Sequence, residues 1–162
     1  MGKEAKTNAM RMLERAKIVY EAHEYPHEEG VAVDGVRVAE SMGQNPDCVF
    51  KTLVTQGADK NYYVFVIPVA ATLDLKKAAR SVGVKSVAMI HVADINKITG
   101  YVRGGCSPVG MKKQFVTRFD ESCLDKPTIF VSAGRIGTQI EASPAGLLQA
   151  SRGETASLTM AE

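Results

Sequence analysis

Two runs of sequence decide the fold: Cys48-Val49-Phe50-Lys51-Thr52-Leu53-Val54-Thr55 and Tyr62-Tyr63-Val64-Phe65-Val66-Ile67-Pro68, joined by a polar connection at 56–61. Both are rich in β-branched and aromatic residues, and the short link between them reads as an antiparallel hairpin. The second run is almost continuously apolar, the pattern of a strand buried on both faces. The first run alternates, with Val49, Lys51 and Leu53 on one face and Phe50, Thr52 and Val54 on the other.

Outward from this hairpin, helices and strands mix. Upstream, Ala9, Met10, Leu13, Ala16, Val19 and Tyr20 recur at helical spacing, which predicts an amphipathic helix from about Lys6 to Ala22 capped by Thr7 or Asn8. Glu24 to His27 reads as extended before and around Pro26. A short helix follows from Gly35 to Met42, then a turn or helix start at Asn45-Pro46-Asp47. Downstream, Thr72 is the expected cap of a helix running through Arg80 and ended by Gly83. Further strands are expected at Ser86–Ile90, Gln114–Asp120, Thr128–Ser132 and Thr138–Glu141, with a polar helical turn near Ala93–Ile98. Ser143-Pro144 opens a last helix, serine as cap and proline at the first helical position. The fold class is therefore α+β, a mixed, mainly antiparallel curved sheet surrounded by helices and enclosing a pocket.

The 162 residues suffice for one domain, and 45% hydrophobic with 23% charged residues is the mix of a globular chain. We read residues 1–162 as a single domain with a frayed tail from about residue 153. The longest apolar run, Tyr62 to Ala71, is far below the roughly 20 residues of a membrane span. Met1-Gly2-Lys3-Glu4 leads into a charged stretch without an apolar signal region, so a cytoplasmic protein without membrane association is expected. The cysteines, Cys48, Cys106 and Cys123, match no zinc spacing and are read as reduced; no metal or cofactor is expected. A net charge of +2 does not announce a nucleic-acid binder. Local basic density at Lys76-Lys77-Arg80-Lys85 and Lys112-Lys113-Arg118 permits a phosphate-bearing partner without requiring one.

Three segments could carry chemistry. Lys51 interrupts an apolar strand: it either protects a sheet edge, or lays its stem on apolar surface, or projects into a concave site to hold an anion or a developing oxyanion. Gly104-Gly105-Cys106-Ser107-Pro108-Val109-Gly110 is either a tight connection or a ligand cradle of backbone N–H groups, with Ser107-Pro108 as a further helix start. Val131-Ser132-Ala133-Gly134-Arg135 is either a hairpin turn or a second ligand wall.

Phe50-Lys51-Thr52-Leu53, then Pro68-Val69-Ala70 with Leu73-Asp74-Leu75-Lys76-Lys77, then Thr99-Gly100-Tyr101 with Gly104-Gly105-Cys106-Ser107-Pro108, and finally Val131-Ser132-Ala133-Gly134 come in a telling order. In order and spacing they resemble the YbaK/EbsC, prolyl-tRNA synthetase-associated domain family, over residues 8 to 152. The resemblance implies a trans-editing aminoacyl-tRNA deacylase acting on mischarged tRNA, foremost Cys-tRNA(Pro), alone or with prolyl-tRNA synthetase. It places Lys51 in the pocket against the terminal nucleotide or phosphate, and Gly104 and Gly105 as backbone donors to the carbonyl or oxyanion. Ser132 falls on the family serine and Tyr25 on the tyrosine of the early strand. Phe50, Thr52, Cys106, Ser107 and Pro108 complete the implied substrate-binding set. An aminoacyl ester is already activated, so orientation and oxyanion stabilisation suffice, and in the cysteine-specific branch the substrate's own thiol attacks the ester. Where some relatives carry an aspartate, this chain has Gln139. Three other readings stay open: deacylation of Ala-tRNA(Pro) or a Ser-tRNA, a non-catalytic tRNA-binding module, and a hydrolase using Cys106 as nucleophile. Oligomeric state is left open.

Overall fold

The computed structural model describes residues 6–161, so the charged start at Met1-Gly2-Lys3-Glu4 lies outside the described residues. The predicted hairpin is present. β2 (Phe50–Gly57) and β3 (Tyr62–Pro68) pair antiparallel from Phe50↔Pro68 to Gln56↔Tyr62. β3 is buried on both faces, as its composition demands. Val64 and Val66 enter one core with Phe50, Val54, Phe119, Val131 and Ile140. Tyr63, Phe65 and Ile67 enter another, against Ala78, Ala79 and Leu158. Each such fully buried aliphatic or aromatic side chain is worth about 1.5–3 kcal/mol of transfer free energy.

The sheet divides in two. β2 and β3 lie in a five-stranded mixed sheet of order β4-β2-β3-β5-β8, where β4 is Val87–Met89, β5 is Val116–Asp120 and β8 is Glu154–Ala156. β1 (Tyr20–Glu24), β7 (Thr138–Ala142) and β6 (Ile129–Arg135) form an antiparallel three-stranded sheet of order β1-β7-β6. A parallel bridge, Val49↔Phe130, joins the two sheets. The larger core fills the space between them, closed by α1 (Asn8–Arg15) and α5 (Pro144–Ser151), whose caps Thr7 and Ser143 accept the Met10 and Gly146 amides. α2 (Gly35–Ser41), α3 (Leu75–Ser81) and α4 (Ile95–Thr99) lie between these strands in sequence. No helix among the described residues is long and apolar enough to cross a membrane.

Four expectations are corrected. The first helix stops at Arg15 instead of Ala22, because Lys17 turns left-handed (φ 61°) and the Ile18 amide bonds back to Leu13. A lysine in that conformation leaves no sequence signal, and residues 20–24 become β1. Thr72 is not the cap of α3: the Asp74 carboxylate accepts from the Lys76 and Lys77 amides at 3.0 and 3.1 Å. Ser107-Pro108 starts no helix. The tail does not fray. β8 pairs parallel with β5, Leu158 is fully buried, and the Asp74 amide donates to Leu158 O at 2.7 Å while Met160 N donates to Thr72 O at 2.9 Å.

Candidate active site

β4 pairs with β2 only from Thr55 onward, so the first half of β2 has an open edge. A cavity of about 1180 Å³ lies along that edge and takes in both faces of residues 49–54. Its other walls come from β6 and β7, the loop at 102–106, the connection at 30–35 and residues 89–95. Strand alternation alone would have divided Lys51 from Phe50 and Thr52. The open edge brings all three to one space.

Of the expected residues, Tyr25, Phe50, Lys51, Thr52, Gly104, Cys106 and Ser132 line the cavity. Lys51 is half-buried; desolvation lowers the pKa of its ammonium, with the Asp34 carboxylate opposing that shift. Among the described residues the Lys51 ammonium makes no hydrogen bond and no direct ion pair. Its place at an open strand edge on the cavity wall fits both the edge-protecting and the concave-site readings. Thr52 Oγ1 is buried without a partner. Ser132 Oγ accepts from the Gly134 amide at 3.2 Å, where β6 bulges between Ser132 and Arg135. Tyr25 is held by its amide, which donates to Gly137 O at 2.8 Å.

Gly105, Ser107 and Pro108 stand behind the cavity wall. The Gly105 amide donates to Val102 O at 2.9 Å, so it is spent inside the loop instead of facing a ligand. Glycine is required here for packing: a Cβ would lie 2.9 Å from the Arg135 and Ile136 backbone. Ser107 is fully buried and its Oγ accepts from Val109 N at 3.2 Å. Tyr101 braces the same loop by donating its hydroxyl to Val109 O at 2.7 Å. Gly104, with φ 81°, faces Ala32 so closely that a Cβ would come within 3.1 Å of Ala32 Cα. That contact ties the 30–35 connection to the glycine loop across the cavity.

Burial pushes the Cys106 thiol up to about 11, with a Thr99 hydrogen bond opposing. It is a neutral thiol at physiological pH, which is the wrong form for a nucleophile. Two of the three histidines are engaged elsewhere: His23 Nε2 contacts Glu141 Oε1 at 2.9 Å, and His27 Nδ1 lies 3.3 Å from Tyr25 O; His91 is not among the residues that line the cavity. Glu21, His23 and Glu141 bring ligating atoms within 4.8 Å of one another on the β1–β7 ladder. Both Glu141 oxygens already have partners there, His23 and Thr128. Part of the local basic density serves the fold. Lys77 Nζ donates to Thr159 O at 2.8 Å and Arg118 Nε to Ser81 O at 3.2 Å.

The sequence reading gave no role to the 30–35 connection, to Gln44 or to Arg103. Arg103 and residues 30–35 line the cavity, and Gln44 supports its wall through Gln139. Gly30 and Gly35 were the only local signals, and glycine alone does not separate a cavity wall from a turn.

Residues 30–150 match the sequence profile of the aminoacyl-tRNA editing domain. The chain belongs to the aminoacyl-tRNA editing domain family. A protein of Enterococcus faecalis (strain ATCC 700802 / V583), the candidate Cys-tRNA(Pro)/Cys-tRNA(Cys) deacylase EbsC, is 46% identical over 157 residues, which cover 97% of this chain and 95% of that protein. The editing-domain fold is shared with a crystal structure of a candidate trans-editing enzyme for prolyl tRNA synthetase (TM-score 0.79, 24% identity, 94% of this chain and 93% of that one). It is also shared with a crystal structure of a hypothetical protein (TM-score 0.84, 19% identity, 95% and 100%).

Proposed function

We propose that this editing domain is a trans-acting deacylase that hydrolyses mischarged tRNA, with Cys-tRNA(Pro) as its preferred substrate. The observation that carries the reading is the unpaired Lys51 ammonium on the wall of a cavity of about 1180 Å³. Pockets for drug-sized ligands run to about 1,000 Å³, so this one has room for a terminal adenosine together with its aminoacyl group. A half-buried cation with no direct ion pair, felt only at longer range by the Asp34 carboxylate, gains from an anionic or oxyanionic ligand, and here that is the terminal phosphate or the tetrahedral oxygen. The 46% identical relative supports the choice of cysteinyl ester.

In the reaction, the substrate's thiol sulfur bonds to its own ester carbonyl carbon, the thiol proton is released, and the oxyanion is held by donors on the cavity wall. Collapse breaks the bond to the ribose oxygen, which leaves as a hydroxyl after taking up a proton. Water then opens the resulting thiolactone to free cysteine. The protein orients and stabilises; no side chain serves as nucleophile, consistent with the neutral Cys106 thiol. Mischarged tRNA is the partner, and prolyl-tRNA synthetase is the second partner this reading names.

The test is ester loss from Cys-tRNA(Pro), Ala-tRNA(Pro), Ser-tRNA(Ser) and Pro-tRNA(Pro) against a no-enzyme control. Selective loss of the cysteinyl ester is expected. Selective loss of the alanyl or seryl ester would keep the deacylase and overturn the thiol route. No loss of any ester with tRNA still bound would leave a binding module.

A further inference from the structure

Gln139 is the second residue of β7, the central strand of the three-stranded sheet, paired with Ser132 on β6 and His23 on β1. Its side chain is buried at 3% exposure, yet it belongs to the cavity wall. Burying a primary amide is costly unless both its ends find partners. Only one end does so within the protein: Gln139 Oε1 accepts from Gln44 Nε2, which reaches over from the link between α2 and the turn at Pro46–Cys48. Among the described residues no group receives the Gln139 Nε2 donors, and that nitrogen is not among the side-chain atoms sealed from solvent. With its oxygen fixed from behind, the amide's two N–H donors are left for whatever occupies the cavity.

We propose that Gln139 donates to the ester carbonyl oxygen of the bound aminoacyl group, and that Gln44 is the positioning residue that fixes its orientation. This rests on the deacylase reading above. The choice of atom follows from charge and donor count. The α-ammonium of an aminoacyl ester carries only donors, and an amide N–H cannot pair with it. The ester carbonyl is the acceptor of the reacting group, and a donor there is strengthened as the carbonyl gains negative charge. Gln44 also explains why a glutamine works at position 139. An acceptor anchored by an amide N–H leaves only N–H groups facing inward, whereas a carboxylate at 139 would present an acceptor.

The two parts separate by substitution. Gln139→Glu keeps an oxygen for Gln44 Nε2 and removes the inward donors. Gln44→Met keeps the donors and removes the anchor. Single-turnover cleavage of Cys-tRNA(Pro) is measured for both and for wild type, with tRNA affinity and the thermal midpoint measured on the same samples. We expect about a 30- to 100-fold slower chemical step in Gln139→Glu, and about 3- to 10-fold in Gln44→Met, with tRNA affinity within about twofold of wild type. Gln44→Asn, a shorter amide, should recover less than Gln44→Met loses.

A merely structural role would move the thermal midpoint and leave the single-turnover rate of the folded fraction unchanged, which overturns the proposal. If wild type cleaves and both variants cleave equally fast, the donor role falls and the deacylase stands. If wild type cleaves no aminoacyl ester, the deacylase reading falls and takes this inference with it.

Discussion

The carboxylate of Asp120 holds the Leu158 amide: Asp120 Oδ1 accepts from Leu158 N at 3.0 Å, while its Oδ2 accepts from Ser122 N at 3.2 Å. One buried side chain therefore ends β5, caps the following 3-10 turn and fastens the C-terminal segment. Hydrogen bonds to charged groups are each worth about 1.5–3 kcal/mol, so Asp120→Ala should cost about 2–4 kcal/mol in chemical denaturation. Leu158→Ala, at a fully buried position, should cost about 2–5 kcal/mol. Unchanged denaturation midpoints in both would show that the tail is dispensable.

Lys51→Ala should slow deacylation about 10²- to 10³-fold, since a cation facing a developing negative charge is lost. If Lys51 holds a phosphate, the salt slope of tRNA binding should fall by about one. Stability moves the other way. Because burial lowers the Lys51 pKa from its ordinary 10.5, the folded state resists carrying this charge. The penalty is fully present below the folded pKa and fades as pH rises toward 10.5. Lys51→Met should therefore raise the denaturation midpoint at pH 7, and its advantage should shrink between the lowered pKa and pH 10.5.

Cys106→Ala should leave deacylation within about threefold of wild type, and alkylation at pH 7 should be slow, because thiolate is scarce at a pKa of about 11. Loss of activity on alkylation alone would signal steric blockage; loss in Cys106→Ala as well would restore the nucleophile.

Stability should fall as pH rises above about 9. Burial raises Cys106 and Cys123 from 9.0 to about 11, and Tyr20 from 10.0 to about 12; Tyr101 is raised for the same principal reason. A group with a raised folded pKa contributes stability that is complete below its unfolded pKa and is lost as pH climbs through the folded one. The window for the thiols is pH 9 to 11, and four such groups outweigh the opposite trend of Lys51. Urea midpoints measured from pH 7 to 11 check the sign; a flat profile would contradict it.

Gly105→Ala should cost about 1–3 kcal/mol by overpacking, because its new methyl meets backbone atoms of Arg135 and Ile136 at 2.9 Å and no flexible side chain can yield. Deacylation should fall with it, as the loop carrying Gly104 is pushed from β6. A fully active, equally stable variant would show that the loop and the β6–β7 turn are independent.

The hairpin, the burial of β3 on both faces and the family's segments were legible because strand periodicity and glycine spacing are local properties. Lys51 declared itself in the same way, as a charge in an apolar strand. Helix ends were less legible. Lys17 turns left-handed for reasons carried by the Ile18–Leu13 contact, and Asp74 outcompetes Thr72 as a cap because it reaches two amides. The tail misled because Gly153 and the polar residues after it look like an end, whereas Leu158 and Asp120 meet across 38 positions of chain.

What the sequence by itself determined is the central hairpin, most of the other elements and the inventory of chemical groups, since each follows from residues near one another along the chain; β1 and β8 were not among them. Which of those groups face one space was decided by tertiary structure. β4 begins pairing only at Thr55, and that leaves the β2 edge open along Lys51 and Thr52. Ala32 closes on Gly104, the Gly105 amide turns inward, and Gln44 meets Gln139 across 95 positions. The physical reason is the same in each case: a hydrogen bond or a packing contact between distant residues is fixed only when the whole chain has found its place, and no local pattern records it.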